Sequence, residues 1–247
     1  MKYGLIGKVL GHSFSRSFFT NLFHEEGGGD VYENFELEHI EDLKEMLRTQ
    51  PDLRGFNVTI PYKTQIIPLL DKLSAEAEAI GAVNVVKCFT SDKGEQQLVG
   101  YNTDCIGFTK SLTHFITIDK TQLNALVLGT GGVSKAVQYA LKKMGIHCQL
   151  VSRAQDGCLS YADIDEAMME KHKLIVNCTP LGMAPAIDTC PNIPYNLLTG
   201  EHWLFDCVYG DVPTLFLQRG RRFGAHIKDG TEMLKLQALA ALDIWRS

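Results

Sequence analysis

The fold of this chain is decided by the segment Leu126-Val127-Leu128-Gly129-Thr130-Gly131-Gly132-Val133-Ser134, where a strand pattern runs into a glycine-rich turn and then a helical pattern. Glycines let the backbone turn tightly and approach a pyrophosphate, and the N–H groups that open the following helix attract its charge. The spacing is G-x-G-G-x-S, so Ser134 stands where the commoner G-x-G-x-x-G fingerprint has its third glycine. The segment predicts dinucleotide binding by Gly129–Ser134; the alternative is a purely structural turn.

The next predicted strand indicates which dinucleotide is bound. Proteins that bind NAD place Asp or Glu about 20 residues further on, where the carboxylate binds the ribose 2′-hydroxyl. This chain has Gln149-Leu150-Val151-Ser152-Arg153 in that window and no acidic residue. Arg153 can pair with a 2′-phosphate, and Ser152 can donate a hydrogen bond to it. NADP is therefore the expected cofactor, the alternative being a solvated Arg153 at a strand end.

Short apolar segments alternate with amphipathic helical patterns, which predicts an α/β fold with mostly parallel sheets. The predicted strands are Lys2–Ile6, Tyr32–Leu37, Leu53–Ile60, Val83–Phe89, Gln97–Asn102, Leu123–Leu128, His147–Val151, Leu174–Cys178 and Trp203–Tyr209. The predicted helices are His39–Thr49, Asp104–Phe115, Ser134–Met144, Tyr161–His172, Thr214–Arg221 and Glu232–Trp245. Because the pattern restarts with a new helix at Asp104, we expect a domain boundary there.

Length and composition exclude several classes of protein. With 247 residues, 45% of them apolar and 21% charged, the chain can form one large domain or two modest ones. The formal net charge of −5 argues against a nucleic-acid-binding surface, and no apolar run reaches the roughly 18–20 residues that cross a bilayer. The chain opens without a signal-peptide pattern, and its seven cysteines lack zinc spacing. We expect a cytoplasmic protein with reduced thiols and no metal.

Seven segments, taken together and in order, resemble one family. They are Gly11–Ser15 (G-H-S-F-S), Asn57–Lys63 (N-V-T-I-P-Y-K), Gly81–Asn84 (G-A-V-N), Asn102–Gly107 (N-T-D-C-I-G), Asn177–Met183 (N-C-T-P-L-G-M), Asp206–Tyr209 (D-C-V-Y) and Gly230–Leu234 (G-T-E-M-L) with Gln237. Over nearly the whole chain they are similar to the motifs of the shikimate dehydrogenases. Two departures are Arg16, where the family usually has Pro, and Ser152-Arg153-Ala154, where many NADP-dependent members have N-R-T.

The resemblance implies two α/β domains around a cleft. These are a substrate domain at 1–104 and 230–247, to which the last helix returns, and a Rossmann-like NADP-binding domain at 105–229. The implied activity is the reversible NADPH-dependent reduction of 3-dehydroshikimate to shikimate, by a monomer or homodimer that binds neither nucleic acid nor membrane. A quinate/shikimate dehydrogenase with relaxed cofactor use and a non-catalytic NADP-binding sensor are the alternatives. Lys63 and Asp104 argue against the sensor, which needs neither.

The resemblance also implies the site residues. Lys63 and Asp104 are the candidate catalytic pair and both contact substrate. The other implied substrate residues are Ser13, Ser15, Thr59, Asn84, Tyr209 and Gln237. Beyond the turn, Ser152 and Arg153, the implied cofactor residues are Thr179, Met183, Val208, Gly230 and Met233. The alternative role for the Ser, Thr and Asn side chains is to cap helices and turns.

Lys63 is predicted to exchange a proton with the reacting oxygen. Pro61 suits the first turn of a helix, which would place Lys63 at the positive end of the helix dipole and lower its pKa. Asp104, by the resemblance, would raise that pKa again and hold the amine in place. His12, beside the serines, is a further acid/base candidate, with support of the substrate site as its alternative role.

Overall fold

The chain divides into two compact units. The computed structural model describes residues 1–11, 14–90, 96–153 and 157–247, so His12, Ser13 and Ala154 lie outside the described residues. Unit 1 comprises Met1–Thr103 and Ala238–Ser247, and unit 2 comprises Asp104–Gln237. Within the described ranges no helix is long and apolar enough to span a membrane. The same ranges contain no group of three or more His, Cys, Asp or Glu side chains that could hold a metal ion.

Unit 1 is built on a six-stranded mixed sheet. Its strands are β1 (Lys2–Gly7), β2 (Val31–Glu36), β3 (Leu53–Val58), β4 (Lys72–Leu73), β5 (Val85–Thr90) and β6 (Gln96–Tyr101). Their order is β2-β1-β3-β5-β6-β4, in which β5 runs antiparallel to β3 and β6 while the other pairs are parallel. Helices α1 (Phe14–Glu26), α2 (Leu43–Thr49) and α3 (Ala75–Ile80) belong to this unit.

Unit 2 is built on a five-stranded sheet in which every pair is parallel. Its strands are β7 (Asn124–Leu128), β8 (His147–Val151), β9 (Leu174–Asn177), β10 (Trp203–Asp206) and β11 (His226–Lys228), in the order β11-β10-β9-β7-β8. Its helices are α4 (Asp104–Phe115), α5 (Gly132–Lys143), α6 (Glu166–Lys171), α7 (Leu215–Arg222) and the first part of α8 (Thr231–Arg246). Strands β9 and β10 are buried throughout, as expected of a parallel sheet covered on both faces.

The end of α8 packs against the sheet of unit 1. The Trp245 ring stacks on Tyr3 with centroids 4.9 Å apart and lies 5.4 Å from the Phe19 ring. Its indole Nε1 donates to the Val86 carbonyl at 3.0 Å. A Cβ added at Gly55 on β3 would overlap the Trp245 ring, so this strand must present bare backbone here. Residues from Ala238 onward therefore complete the core of unit 1.

The helix predicted at Pro61 is wrong. The Tyr62 N–H donates to the Thr59 carbonyl at 2.9 Å, which closes a turn, and turns continue until the short 3-10 helix Ile67–Leu69. The Lys63 carbonyl accepts the Val83 N–H at 2.7 Å instead of a bond within a helix. Lys63 therefore does not lie in the first turn of a helix.

The helix predicted over Tyr161–His172 is two elements. A 3-10 helix covers Tyr161–Asp163, and α6 starts only at Glu166. Between them Asp165 is extended, with φ −96° and ψ −175°, and its carboxylate accepts the Met168 N–H at 2.8 Å. An Asp that caps a helix N-terminus in this way begins a new helix.

Candidate active site

The predicted cofactor residues of unit 2 follow the carboxyl ends of neighbouring strands. The glycine-rich turn follows β7, Ser152 and Arg153 follow β8, Thr179 follows β9 and Val208 follows β10. Because these strands are parallel, their carboxyl ends meet at one edge of the sheet, which is where open α/β sheets bind ligands. The structure thus brings these residues to one edge.

Gly129 gives the turn its shape. Its φ of +100° lies in the region that favours glycine, and its N–H donates to the Val151 carbonyl at 2.9 Å. A Cβ at this position would lie 3.0 Å from the Thr179 Cγ2. Helix α5 begins at Gly132, two residues before its predicted start, with Gly131 as its N-cap. Since the first N–H groups of a helix lack partners inside it, this turn fits a pyrophosphate.

Ser134 stabilises the glycine-rich turn from a buried position in unit 2. Its side chain is buried, and its hydroxyl donates to the Gly129 carbonyl at 2.6 Å. Gln138 in turn donates its amide to the Ser134 hydroxyl at 3.3 Å. Ser134, which replaces the third glycine of the fingerprint, therefore stabilises the conformation of Gly129, the first glycine.

Arg153 is exposed directly after β8. The Ser152 N–H donates to the Leu159 carbonyl at 2.8 Å, so the chain returns to the strand within a few residues. Burial raises the pKa of the Tyr161 phenol, whereas the positive charge of Arg153 lowers it. The guanidinium therefore lies near enough to this phenol to act on its ionisation.

A buried polar network joins the loops after β9 and β10. Asn177 donates its amide to the Asp206 Oδ1 at 2.9 Å, and its Oδ1 accepts both the N–H and the hydroxyl of Thr179, at 3.0 and 2.6 Å. The Val208 N–H donates to the Asp206 Oδ1 at 3.0 Å, and the Thr214 hydroxyl donates to its Oδ2 at 2.5 Å. Asn177 and Asp206 are fully buried. Sequence reasoning assigned no role to either, although both lie within quoted motifs.

Asp206 is expected to make unit 2 less stable as the pH rises from 4 to 7. Burial, partly offset by its three donors, raises the pKa of this carboxyl from 3.8 to about 6. The raised pKa favours the neutral carboxyl in the fold, so this contribution to stability is complete below pH 3.8 and is lost as the pH rises through about 6. The shift corresponds to about 3 kcal/mol. Between pH 4 and pH 7 the free energy of unfolding of Asp206→Asn should therefore fall by about 3 kcal/mol less than that of the unmodified protein.

Denaturant unfolding at the two pH values, followed by the fluorescence of Trp203, measures this difference. Trp203 lies in unit 2 and Trp245 lies in unit 1, and the chain has 2 tryptophans. Asp188→Asn, at an exposed position of the same unit, is the control and should behave like the unmodified protein. Equal pH dependence in Asp206→Asn and the unmodified protein would contradict the prediction.

Of the remaining cofactor candidates, Gly230 lies beside the end of β10. The Gly230 N–H donates to the Val208 carbonyl at 3.1 Å, and a Cβ at Gly230 would lie 2.5 Å from the Cys207 carbonyl oxygen. Met233 is buried in α8, whereas Met183 is exposed. Tyr209, a substrate candidate, is also exposed, and partial burial of its ring raises the pKa of its phenol.

A second edge, in unit 1, holds Thr59, Lys63 and Asn84. Thr59 follows the carboxyl end of β3, and Asn84 precedes the antiparallel strand β5, so both lie at the same edge. The hydrogen bond from the Val83 N–H to the Lys63 carbonyl fixes the Lys63 backbone beside Asn84. The structure therefore brings these three residues together in unit 1.

A hydrogen-bonded chain connects Ser15 with Asn84. Ser15 hydrogen-bonds the Tyr32 phenol, which donates to the Asn57 Oδ1 at 2.7 Å. The Asn57 amide donates to the Asn84 carbonyl at 3.3 Å, and the Asn84 Oδ1 accepts the Thr103 N–H at 2.7 Å. Burial, opposed by Ser15, raises the pKa of Tyr32 well above its ordinary value. Sequence reasoning gave no role to Tyr32, which lies in no quoted motif. It also gave none to Asn57, which is the first residue of the N-V-T motif.

Asp104 and Gln237 lie on packed helices of unit 2. Asp104 is the buried first residue of α4, and Gln237 is buried in α8. A Cβ at Gly107, one turn after Asp104, would lie 2.5 Å from the Met233 carbonyl oxygen and 3.0 Å from the Gln237 Cβ. The glycine thus allows the two helices to pack closely. Ser13, the remaining substrate candidate, lies outside the described residues.

The parallel sheet and its glycine-rich turn define unit 2 as a Rossmann-type nucleotide-binding unit. The family model for the substrate binding domain of shikimate dehydrogenase matches residues 5–86. An NADP(+) shikimate dehydrogenase of Aquifex aeolicus is 38% identical over 254 residues, which cover 98% of this chain and 90% of the relative. The chain belongs to the shikimate dehydrogenase family.

Solved structures agree with this assignment. The shikimate dehydrogenase of Aquifex aeolicus has a TM-score of 0.86 at 35% identity, covering 99% of this chain and 92% of that one. Shikimate 5-dehydrogenase of Thermus thermophilus, in complex with NADP(H) and shikimate, has a TM-score of 0.83 at 28% identity, covering 99% and 93%. Quinate dehydrogenase of Corynebacterium glutamicum, in complex with NAD, has a TM-score of 0.85 at 28% identity, covering 99% and 93%. The predicted α/β fold and the predicted family are confirmed.

Proposed function

We propose that this chain catalyses the reversible NADPH-dependent reduction of 3-dehydroshikimate to shikimate. The observation that carries the proposal is the match of nearly the whole chain to relatives named as NADP(+) shikimate dehydrogenases. The alternative of a non-catalytic sensor accounts for neither Lys63 nor Asp104, which both stand in their motifs.

We assign the two ligands to separate parts of the chain. Most substrate residues lie in the part predicted as 1–104 and 230–247, and most cofactor residues lie in the part predicted as 105–229. The substrate-domain model at residues 5–86 lies within unit 1 and supports the first assignment. The Gly129–Ser134 turn at the edge of the parallel sheet supports the second.

The proposed mechanism assigns a task to each side chain. NADPH, held at the Gly129–Ser134 turn, would supply the hydride for the ketone carbon. Lys63 gives a proton to the forming alkoxide, and its amine takes the proton back in the reverse direction, with Asp104 as the second residue of the proposed catalytic pair. Thr59, Asn84 and Gln237 bind the ring hydroxyls, and Ser13, Ser15 and Tyr209 bind the carboxylate.

Turnover of shikimate and of quinate, each with NADP and with NAD, tests the proposal. We expect shikimate with NADP to give the highest kcat/KM, followed by nicotinamide absorbance. Equal or better turnover of quinate would favour the quinate/shikimate dehydrogenase, which the likeness to a quinate dehydrogenase structure also supports. Folded protein with no turnover of any pair would overturn the dehydrogenase assignment.

Arg153→Ala is expected to raise the KM for NADP about tenfold to hundredfold and to leave the KM for NAD nearly unchanged. A charge-assisted bond to the 2′-phosphate contributes roughly 1.5–3 kcal/mol, and NAD lacks that phosphate. Because Arg153 is exposed, added salt should weaken NADP binding more than NAD binding. Arg222→Ala, at another exposed arginine of unit 2, is the control. Equal loss with both cofactors would contradict the assignment.

We place the protein in the cytoplasm, as a monomer or homodimer. All seven cysteines are described and none forms a disulfide, which agrees with a reducing compartment. Sedimentation of the purified protein at micromolar concentration decides between the two oligomeric states.

A further inference from the structure

The thiols of Cys178 and Cys207 are neighbours in unit 2. Their Sγ atoms lie 3.8 Å apart. Strands β9 and β10 pair in parallel up to Asn177 and Asp206, and the two cysteines come next in the chain. The Cys207 N–H donates to the Asn177 carbonyl at 2.9 Å, which holds the two segments together one residue beyond the strands. The cysteines therefore occupy matching positions on adjacent segments.

The surroundings of Cys207 favour its protonated form. The hydrogen bond with the Cys178 thiol, together with burial, raises the pKa of Cys207 well above its ordinary value. The carboxylates of Asp206 and Asp104 raise it further. Since a thiolate is the form that attacks an oxidant, these surroundings assign Cys207 to the second step rather than to the first attack.

We propose that Cys178 and Cys207 form an oxidisable dithiol site that peroxides convert into an intramolecular disulfide. The Cys178 sulfur attacks the O–O bond of hydrogen peroxide, which gives a sulfenic acid on Cys178 and one water. The Cys207 sulfur then displaces the sulfenic oxygen as a second water and forms the S–S bond. Two thiols thus lose two electrons and two protons to one peroxide. A small-molecule dithiol reverses the reaction.

Bond formation would act on the proposed cofactor site, and this step rests on the proposed function. To form a disulfide, the distance between the two sulfur atoms must shorten from 3.8 Å to about 2.05 Å. A Cβ at Gly129 would lie 3.3 Å from the Cys178 carbonyl carbon, so any movement of this segment acts on the glycine-rich turn. A Cβ at Gly230 would lie still closer, 2.5 Å from the Cys207 carbonyl oxygen. We expect the oxidised protein to bind NADPH at least about tenfold more weakly.

Mass spectrometry after treatment with hydrogen peroxide tests the disulfide directly. The expected result is the loss of two hydrogens, a peptide that links Cys178 with Cys207, and restoration by dithiothreitol. Cys178→Ala and Cys207→Ala should both abolish the linked peptide. Cys158→Ala, at another half-buried cysteine of unit 2, should retain it. Alkylation of both thiols after peroxide treatment, or a link to a different cysteine such as Cys148, would overturn the proposal.

Fluorescence titration with NADPH tests the consequence. Peroxide should weaken NADPH binding in the unmodified protein and in Cys158→Ala, but not in Cys178→Ala or Cys207→Ala. A disulfide that forms without changing NADPH affinity would overturn the effect on the cofactor site and leave the dithiol site standing. If the reduced protein does not bind NADPH at all, the proposed function fails, and mass spectrometry still decides whether the disulfide forms.

Discussion

Lys63→Ala is expected to lower kcat about 10²–10⁴-fold, the usual contribution of a general acid or base, while changing the KM for shikimate less than about threefold. The amine acts on the proton that moves in the transition state, so its removal affects chemistry more than binding. The structure gives Lys63 a fixed backbone position through the bond from Val83, next to Asn84. Initial rates over a range of shikimate and NADP concentrations separate the two parameters.

Lys72→Ala is the matched control for Lys63. Lys72 is an exposed lysine of the same unit, on β4, and its removal should leave both parameters unchanged. A strong rise in the KM for shikimate at unchanged kcat would make Lys63 a binding residue and contradict the mechanism. Losses of the same size in both variants would indicate a general effect of charge rather than proton transfer.

Trp245→Ala is expected to destabilise unit 1 by about 3–5 kcal/mol, the range for truncating a large buried aromatic side chain. The Trp245 ring is 5% exposed and packs against Tyr3 and Phe19, so alanine leaves a cavity between them. The substitution also removes the donor to the buried Val86 carbonyl. Urea unfolding followed by far-ultraviolet circular dichroism measures the loss.

Leu239→Ala is the control for Trp245. Leu239 lies on the same helix and in the same unit but is 43% exposed, so its truncation should cost less than about 0.5 kcal/mol. Gly55→Ala offers an independent check, because its new Cβ would overlap the Trp245 ring. If Gly55→Ala and Trp245→Ala are both as stable as the unmodified protein, the packing of α8 on the sheet does not stabilise unit 1.

The sequence predicts the elements whose signal is local. Strand β8 is found at its predicted bounds, His147–Val151, because the segment is short and lies between Gly145 and Ser152. Helix α4 is found at Asp104–Phe115, as its spacing predicts. Helix α1 is absent from the predicted elements, although Phe18, Leu22 and other apolar residues recur there at helical spacing. That helical spacing is sufficient to predict α1 from the sequence.

The parts that sequence reasoning missed depend on contacts between distant segments. The polar chain from Ser15 through Tyr32 and Asn57 joins a residue of α1 to residues of β2 and β3, which are distant from one another in the sequence. The expected helix at Lys63 fails because the Lys63 carbonyl bonds to Val83, 20 residues further along the chain. The burial of Asp206, and hence its raised pKa, likewise depends on Asn177 and Thr214. The periodicity of a single sequence segment cannot predict hydrogen-bond partners that lie far away in the sequence.

The split of α8 between the two units has a consequence for the order in which the protein folds during synthesis. Unit 2 is one continuous segment, whereas unit 1 consists of Met1–Thr103 and Ala238–Ser247, which are separated by the whole of unit 2. On the ribosome, residues 1–103 emerge first, yet the aromatic cluster of Tyr3 and Phe19 lacks Trp245 until the end of α8 is made. Domains tend to fold as they emerge, and exposed apolar surface invites aggregation meanwhile. The part of the protein that is synthesised first is therefore the part that is completed last.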